Sequence, residues 1–461
     1  MKKKILALIM AVTMVAGLAA CGNSGAANTE SSSGDETVQQ ENSSKEKTDK
    51  GEVTTITLWS MYAEDNDPTA LSSRIQKLMD DFNASHDDIQ VEVSFGKSYD
   101  NIVTAIASES TPDIFHMYWQ YASPLASRGA LYELTDFVNN DEEFNKADFL
   151  EKAWNLCMVG DKIYSIPFTA SSTFAFYNIN VLKEAGYESF PTTLDDMIQC
   201  AKDCYDLDST SMGMNPLTPW LDNVLWPAMT KASWEDAEGN PAFDSEEMRL
   251  AYSLQKELID YQGGYEAATG WQADFGPALR GASDPVLTGE TGFLLRPDSD
   301  IPDTYNAGIE AGYTYGEDWA VAQVPGNSMF TAAVYEMNAK TEDPEAAWEV
   351  LSYLNSEEAM AYLAEGAKNV GQLMPRTSAL DALMEMDSVC DAMKEAADLI
   401  KNAELQSFPM SGYVNEYLDT INNNMSQYLD GTLDLDTAVV NVQEEAQAAA
   451  DAFKASSENS N

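Results

Sequence analysis

Five cysteines and two histidines carry most of the reactive side chains in this 461-residue sequence, and one of them sits where a chemical step is expected. Cys21 closes the tetrad Leu18-Ala19-Ala20-Cys21. That tetrad has the form of a bacterial lipobox, in which the cysteine thiol takes a diacylglycerol and becomes the mature N-terminus. What precedes it agrees. Lys2, Lys3 and Lys4 form a positive n-region, and an apolar run from Ile5 to Ala20 follows, interrupted by Thr13 and Gly17. The run is shorter than the roughly 20 apolar residues of a stable transmembrane helix, and it has the layout of a secretory h-region. A signal peptide over 1–20 and lipidation at Cys21 are expected.

The other thiols suggest no chemistry. Cys200 and Cys204 lie one helical turn apart, a spacing that suits a metal, but His86 and His116 are distant in sequence. Cys157, Cys200, Cys204 and Cys390 therefore read as structural thiols, and neither a disulfide framework, a metal nor a cofactor is expected. Carboxylate pairs, the machinery of glycoside hydrolysis, are uninformative in a chain with 76 acidic residues. The sequence has no G-x-S-x-G elbow, H-E-x-x-H or phosphate loop. Asp430-Gly431-Thr432-Leu433-Asp434-Leu435-Asp436 lacks the glycine and terminal glutamate positions of a Ca²⁺ loop. A binding protein is expected rather than an enzyme.

The elements that must position any site begin near Val53. Residues 21–52 follow the lipidation site as a tether rich in Ser, Asn, Glu, Gly and Lys, which cannot bury enough surface to offset chain entropy. About 400 residues remain, too many for one core. The formal charge is −50, and removing residues 1–20 takes away three lysines and no acid, leaving −53. Such a surface repels nucleic acid and anionic membrane and disfavours anionic ligands. Thr54-Thr55-Ile56-Thr57-Leu58-Trp59 predicts a strand. Asp67-Pro68 predicts a helix start, with Leu71, Ile75, Leu78 and Phe82 on its buried face. Ile89–Val93 predicts a second strand, a helix runs from about Tyr99 to Ala107, and Pro112-Asp113-Ile114-Phe115 predicts a third strand. This order implies parallel pairing, with ligands beyond the carboxyl ends of the strands. Further strands are expected at 162–167, 172–177, 293–295, 320–322 and 331–334, and helices near Thr193, after Asp343-Pro344 and from about Leu435 to Lys454.

In order and spacing these elements resemble an extracellular solute-binding protein of family 1, the sugar-type receptor of ABC importers. The segments that carry the resemblance are the Ile56-Thr57-Leu58-Trp59 opening and Thr111-Pro112-Asp113-Ile114-Phe115 ahead of Gly129-Ala130-Leu131-Tyr132-Glu133-Leu134. Asp161 to Pro167 continuing to Phe176-Tyr177-Asn178, Pro191-Thr192-Thr193-Leu194-Asp195-Asp196 and Leu373-Met374-Pro375-Arg376 complete it. The stretch Leu287 to Pro297 departs from the family pattern, lacking its Trp.

The resemblance implies an α/β, two-lobed periplasmic-binding-protein-like fold of type II. Each lobe would be a mostly parallel sheet flanked by helices, with the ligand cleft between lobes. Crossings fall near Pro167, Thr331 and Lys368, giving lobe 1 as 54–167 plus 331–368 and lobe 2 as 168–330 plus 369–455. It further implies a carbohydrate ligand, an oligosaccharide in this reading, passed to the permease subunits of an ABC importer. The chain would be a monomer on the outer face of the cell membrane, held through its lipid alone and without nucleic-acid partners. A sugar has flat C–H faces and paired hydroxyls, so it needs aromatic platforms and planar polar side chains. The expected ligand-binding residues are Trp59, Ser60, Tyr62, Tyr99, Tyr118, Trp119, Gln120, Ser171 and Ser172, with Trp220, Trp226, Trp271, Arg296 and Asp298 from the other lobe. Competing readings are a receptor for a non-sugar neutral or cationic solute, a secreted glycoside hydrolase and a surface adhesin. Sugar turnover marks the hydrolase, and a flat aromatic patch instead of a cleft marks the adhesin.

Overall fold

The β-branched run at the start folds as read. In β1 (Thr54–Trp59), Ile56 and Leu58 are buried while Thr55 faces solvent, the period-two alternation of a strand. The helix α1 (Leu71–Ser85) buries Ile75, Leu78, Met79 and Phe82 along one face. It begins three residues beyond the Asp67-Pro68 signal. The Asp67 carboxylate accepts from Thr69 N and its carbonyl from Ala70 N, so Asp67 closes a turn ahead of the helix. β2 (Ile89–Ser94), α2 (Tyr99–Ala107) and β3 (Ile114–Tyr118) follow, with α2 held at its start by a reciprocal Ser98–Asn101 capping box. The structure, a computed structural model, describes residues 53–108, 110–218, 222–366 and 371–458. The signal segment, Cys21, the tether, Trp220 and the crossing expected near Lys368 lie outside the described residues.

β4 (Met158–Val159) and β5 (Lys162–Ile163) make a small hairpin, and β6 (Ser165–Pro167) completes the first sheet. The chain then enters the second sheet as β7 (Ser171–Asn178), joined later by β8 (Phe293–Pro297), β9 (Trp319–Gln323) and β10 (Ser328–Thr331). It returns directly to the first sheet as β11 (Ala333–Met337), and β12 (Leu405–Gln406) closes the second. The first sheet has the order β2-β1-β3-β11-β6, and the second β12-β10-β7-β8 with β9 also on β7.

The two-lobed α/β fold holds, but strand direction needs a correction. β1 is parallel to β2 and β3, whereas β11 runs against both β3 and β6. In the second sheet β7 is antiparallel to β8, β9 and β10, and only β10 with β12 is parallel. The expectation of a mostly parallel sheet in each lobe fails because β7 and β11 arrive from the other lobe by short backbone crossings, not by a crossover helix.

Alternation along β7 divides the second lobe. Phe174 and Phe176 face a buried cluster that continues through Phe168, Ala170, Phe330 and Ala332 at the crossings into the first lobe. Ala175 and Tyr177 face a separate cluster built with Met197 and Ile198, Trp226, Tyr252, Tyr417, Val439 and Val442. Cys200 and Cys204 lie inside that second cluster on the helix Leu194–Tyr205. A side chain at Gly292 would come within 2.6 Å of the Cys204 sulfur, so these thiols pack against backbone. After the third expected crossing, Arg376 donates to the carbonyls of Phe144 (2.6 Å) and Asn355 (2.7 Å) and to the Asp148 carboxylate (3.1 Å), all in the first lobe. The helix Asp391–Asn402 then packs on β9 of the second sheet. Among the described residues no helix is long and apolar enough to cross a membrane.

Candidate functional site

The carboxyl ends of β1 and β3 gather aromatic side chains. Trp59 is the last residue of β1, and the Lys97 ammonium lies 4.7 Å from its ring centroid. Tyr99, opening α2, stacks on Tyr121 with centroids 4.0 Å apart and planes 15° from parallel. Trp59, Tyr99 and Tyr121 all rest on the cluster of Phe115, Met117 and Leu125. Tyr118 ends β3 and exposes 47% of its surface, unusual for a large side chain at a strand end. Met410, from the segment after β12 of the second sheet, packs on the same cluster and so brings the second lobe to this group.

Behind these rings the residues turn inward. Ser60 is buried, with its hydroxyl 3.3 Å from His116 Nδ1. The Tyr62 ring packs on His116 at 4.6 Å, and burial raises the Tyr62 hydroxyl pKa, with Tyr118 adding to the rise and a hydrogen bond with Thr169 opposing it. Burial also holds the His116 imidazole down to about 3, so this histidine is neutral. Trp119 is buried beside them, and its backbone N–H donates to the Ala332 carbonyl at the second crossing (3.2 Å). Its indole N–H and the Gln120 side-chain oxygen are buried without a protein partner.

The second lobe holds a cavity of about 450 Å³ lined by Leu217, Thr218, Trp271, Leu279, Arg280 and the strand Leu294–Pro297 with Ser299 and Asp300. Trp271 lies on the helix Tyr265–Phe275, stacks on Phe275 at 4.9 Å and donates its indole N–H to Ser211 Oγ at 3.1 Å. Arg280 stands at the rim, 3.6 Å from Asp300, in a left-handed backbone conformation (φ 65°). Such a conformation costs a non-glycine residue free energy and is found where the surroundings enforce it. Arg296 is 4% exposed, and its guanidinium reaches Asp300 (2.8 Å), Asp284 (2.8 Å) and Thr304 (3.1 Å) while lying over the Phe176 ring. Every arm of that fork is taken inside the lobe.

Asp298 faces away from the cavity. It is 1% exposed and accepts from the Ser171 hydroxyl and, at 3.1 Å, from Ser172 N, while Ser172 Oγ donates to the Met329 carbonyl (3.1 Å). Burial pushes its carboxyl up to about 7. Trp226 is wholly buried in the second-lobe core, its indole N–H donating to the Pro216 carbonyl at 3.1 Å.

Of the fourteen anticipated side chains, the thirteen among the described residues divide as follows. Trp59, Tyr99, Tyr118, Trp119 and Gln120 share the carboxyl end of the first sheet, Ser60 and Tyr62 lie behind it, and Ser171, Ser172 and Asp298 form a cluster at the first crossing. Trp271 and Arg296 line the second-lobe cavity, whereas Trp226 belongs to core. The sequence reading missed Tyr121, Lys97, Arg280 and Met410. Tyr121 was within reach, since it lies three residues after Tyr118 and its ring joins that of Tyr99; Met410 was not, because only the second sheet's topology brings it there.

The profile of the family described as bacterial extracellular solute-binding protein matches residues 66–361. Among solved structures, the sugar-binding protein MalE from the phytopathogen Xanthomonas citri superposes with a TM-score of 0.73 at 16% identity, covering 87% of this chain and 98% of that one. A protein described as CpMnBP1 with mannobiose bound gives 0.64 at 18%, covering 85% and 99%. The GacH receptor of Streptomyces glaucescens GLA.O, studied unliganded and with acarbose, gives 0.65 at 19%, covering 87% and 99%. At these identities the likeness is one of fold. No curated protein sequence is similar enough to count as a relative.

Proposed function

We propose a function from one premise: the chain belongs to the bacterial extracellular solute-binding proteins. It is a binding protein of a transporter and not an enzyme, built on the two-lobed fold of MalE-like proteins. In our reading it captures a carbohydrate, a short oligosaccharide, between its lobes and delivers it to the permease subunits of an ABC importer. We assign 54–167 with 331–368 to one lobe and 168–330 with 369–455 to the other, and place the protein at the outer face of the membrane through a lipid on Cys21.

The observation that carries the sugar reading is the aromatic group at the carboxyl end of the first sheet. Tyr118 keeps 47% of its surface in water beside Trp59 and the stacked Tyr99–Tyr121 pair, where this class of sheet binds its ligands. A pyranose lays its C–H face on such a ring, and Trp271 in the second lobe supplies a further aromatic wall. The solved proteins of this fold that hold mannobiose and acarbose favour a short oligosaccharide. A ligand bound by both lobes binds the closed form more tightly than the open one, and that difference alone shifts the equilibrium toward closure.

Titration calorimetry of the full chain with mannobiose, maltose and acarbose tests this. Saturable 1:1 binding is expected, with the sugar recovered intact. Tyr118→Ala should weaken it about tenfold, the 1.4 kcal/mol that covering an exposed aromatic face is worth. Absence of binding to all three sugars, or release of cleaved product, sinks the reading.

A further inference from the structure

We infer that Asp298 is a positioning residue that ties the second-lobe cavity to the first lobe crossing, so that the turn carrying it relays ligand occupancy to lobe angle. The inference rests on the reading that ligand sits between the lobes, and three observations carry it.

The turn Asp298–Asp300 follows β8 directly, and its three residues serve two sides. Ser299 and Asp300 line the cavity that holds Trp271, and Asp300 also receives Arg296 at 2.8 Å with Arg280 3.6 Å away. Asp298 points the other way, to Ser171 and Ser172. Those two serines are the first residues of β7, reached three residues after β6 leaves the first sheet.

The second observation is that the crossings are bound to each other at this point. Ser171 and Ser172 pair with Thr331 and Phe330 of β10, and Ser172 Oγ donates to the Met329 carbonyl. Ala333 N donates to Thr169 Oγ1 at 3.0 Å, and Ala170 N to the Leu373 carbonyl at 3.0 Å. A displacement of the Asp298 turn therefore pulls on strands that enter and leave both lobes.

The third is that the carboxylate is 1% exposed and, among the described residues, is paired with no cation. Arg296, one strand residue pair away, is held by Asp284 and Asp300. A buried carboxylate that accepts from a hydroxyl and from backbone N–H groups but is paired with no cation is costly to keep charged, which sets it apart from an ordinary ion pair of the core.

The chemistry supplies a handle. Burial, opposed by the Ser171 and Ser172 hydrogen bonds and reinforced by Asp300 on the same turn, brings the Asp298 carboxyl to about 7. From β7 it is faced by Ser171 and Ser172, which carry no charge, and on its own turn by Asp300, whose charge adds to the rise. Above that value a carboxylate accepts two charge-assisted bonds from the crossing; below it a neutral acid accepts weakly and the crossing is freed.

The test is small-angle scattering of the full, ligand-free chain from about pH 5.5 to 8.5, a window that brackets this carboxyl. Other groups of this acidic protein also titrate, so the wild type is read against Asp298→Asn. The wild type is expected to change its radius of gyration with a component centred near 7 that Asp298→Asn lacks. Ser171→Ala removes a donor that favours the charged form, so its midpoint should move to higher pH. Coincident wild-type and Asp298→Asn profiles overturn the proposal. If melting shows that Asp298→Asn does not fold, an unmoved Ser171→Ala midpoint overturns it instead. No sugar enters this experiment, so its failure is separate from failure of the calorimetry.

Discussion

At the scale of single residues, the least expected group is Glu336, in the middle strand pairings of the first sheet between Phe115 and Ser165. It is wholly buried, neither carboxyl oxygen has a protein partner, and burial raises its pKa well above the ordinary carboxylate range. The sign follows from linkage. A folded value above the unfolded one means stability that is complete at acid pH and is lost as pH rises through the folded value. Glu336→Gln imitates the protonated acid and does not titrate. Its stability should match the wild type near pH 4 and exceed it at about pH 8, by on the order of 1–3 kcal/mol, with a correspondingly higher melting temperature there. Parallel thermal melts across that range check it; a Gln variant less stable than the wild type at every pH would refute it. Nothing in the sequence separated Glu336 from 75 other acids, because its burial comes from the β3 and β6 partners on either side. Trp59 and Tyr118 were legible for the opposite reason: the sequence put each at or just beyond the carboxyl end of an expected strand, where sheets of this class bind ligands.

At the scale of elements, periodicity exposed most strands and helices but not their pairing. β7 could be read from its alternation, yet its three antiparallel neighbours come from segments more than 100 residues later. The partners of Arg296 were hidden for another reason: they lie only 4 to 12 residues away, but on a short cap, a turn and a helix start whose placement the sequence pattern does not give. Asp284 caps the short helix Pro285–Thr288, Asp300 ends the turn after β8, and Thr304 lies on the helix Ile301–Ala311, so one guanidinium fastens three elements to β8. An arginine near a cleft reads as a ligand contact until those partners are seen. Arg296→Ala leaves Asp284 buried without its cation and Asp300 with only Arg280 at 3.6 Å, and should cost about 3–5 kcal/mol of stability. Arg296→Lys should recover only part, since an ammonium cannot hold three acceptors in the fixed directions of the fork. Denaturant unfolding measures both; a near-neutral Arg296→Ala would show that the network contributes little.

At the scale of the molecule, charge and anchoring are one problem. The chain carries −50, or −53 without residues 1–20, a charge that any anionic membrane surface repels. Electrostatics therefore pushes the folded lobes away from the membrane, and among the described residues no helix is long and apolar enough to cross it. In the function we propose, a lipid on Cys21 supplies the attachment. Two acyl chains, at roughly 0.8 kcal/mol per buried CH₂, suffice for stable anchoring where one is marginal. On that proposal Cys21→Ser should release the protein, into the medium or the periplasm according to the cell envelope, with sugar binding unchanged. Membrane fractionation checks the release and calorimetry on the released protein checks the binding. Retention of the Cys21→Ser protein on the membrane at high salt would mean that the anchor lies elsewhere, since salt already screens any charge-based contact.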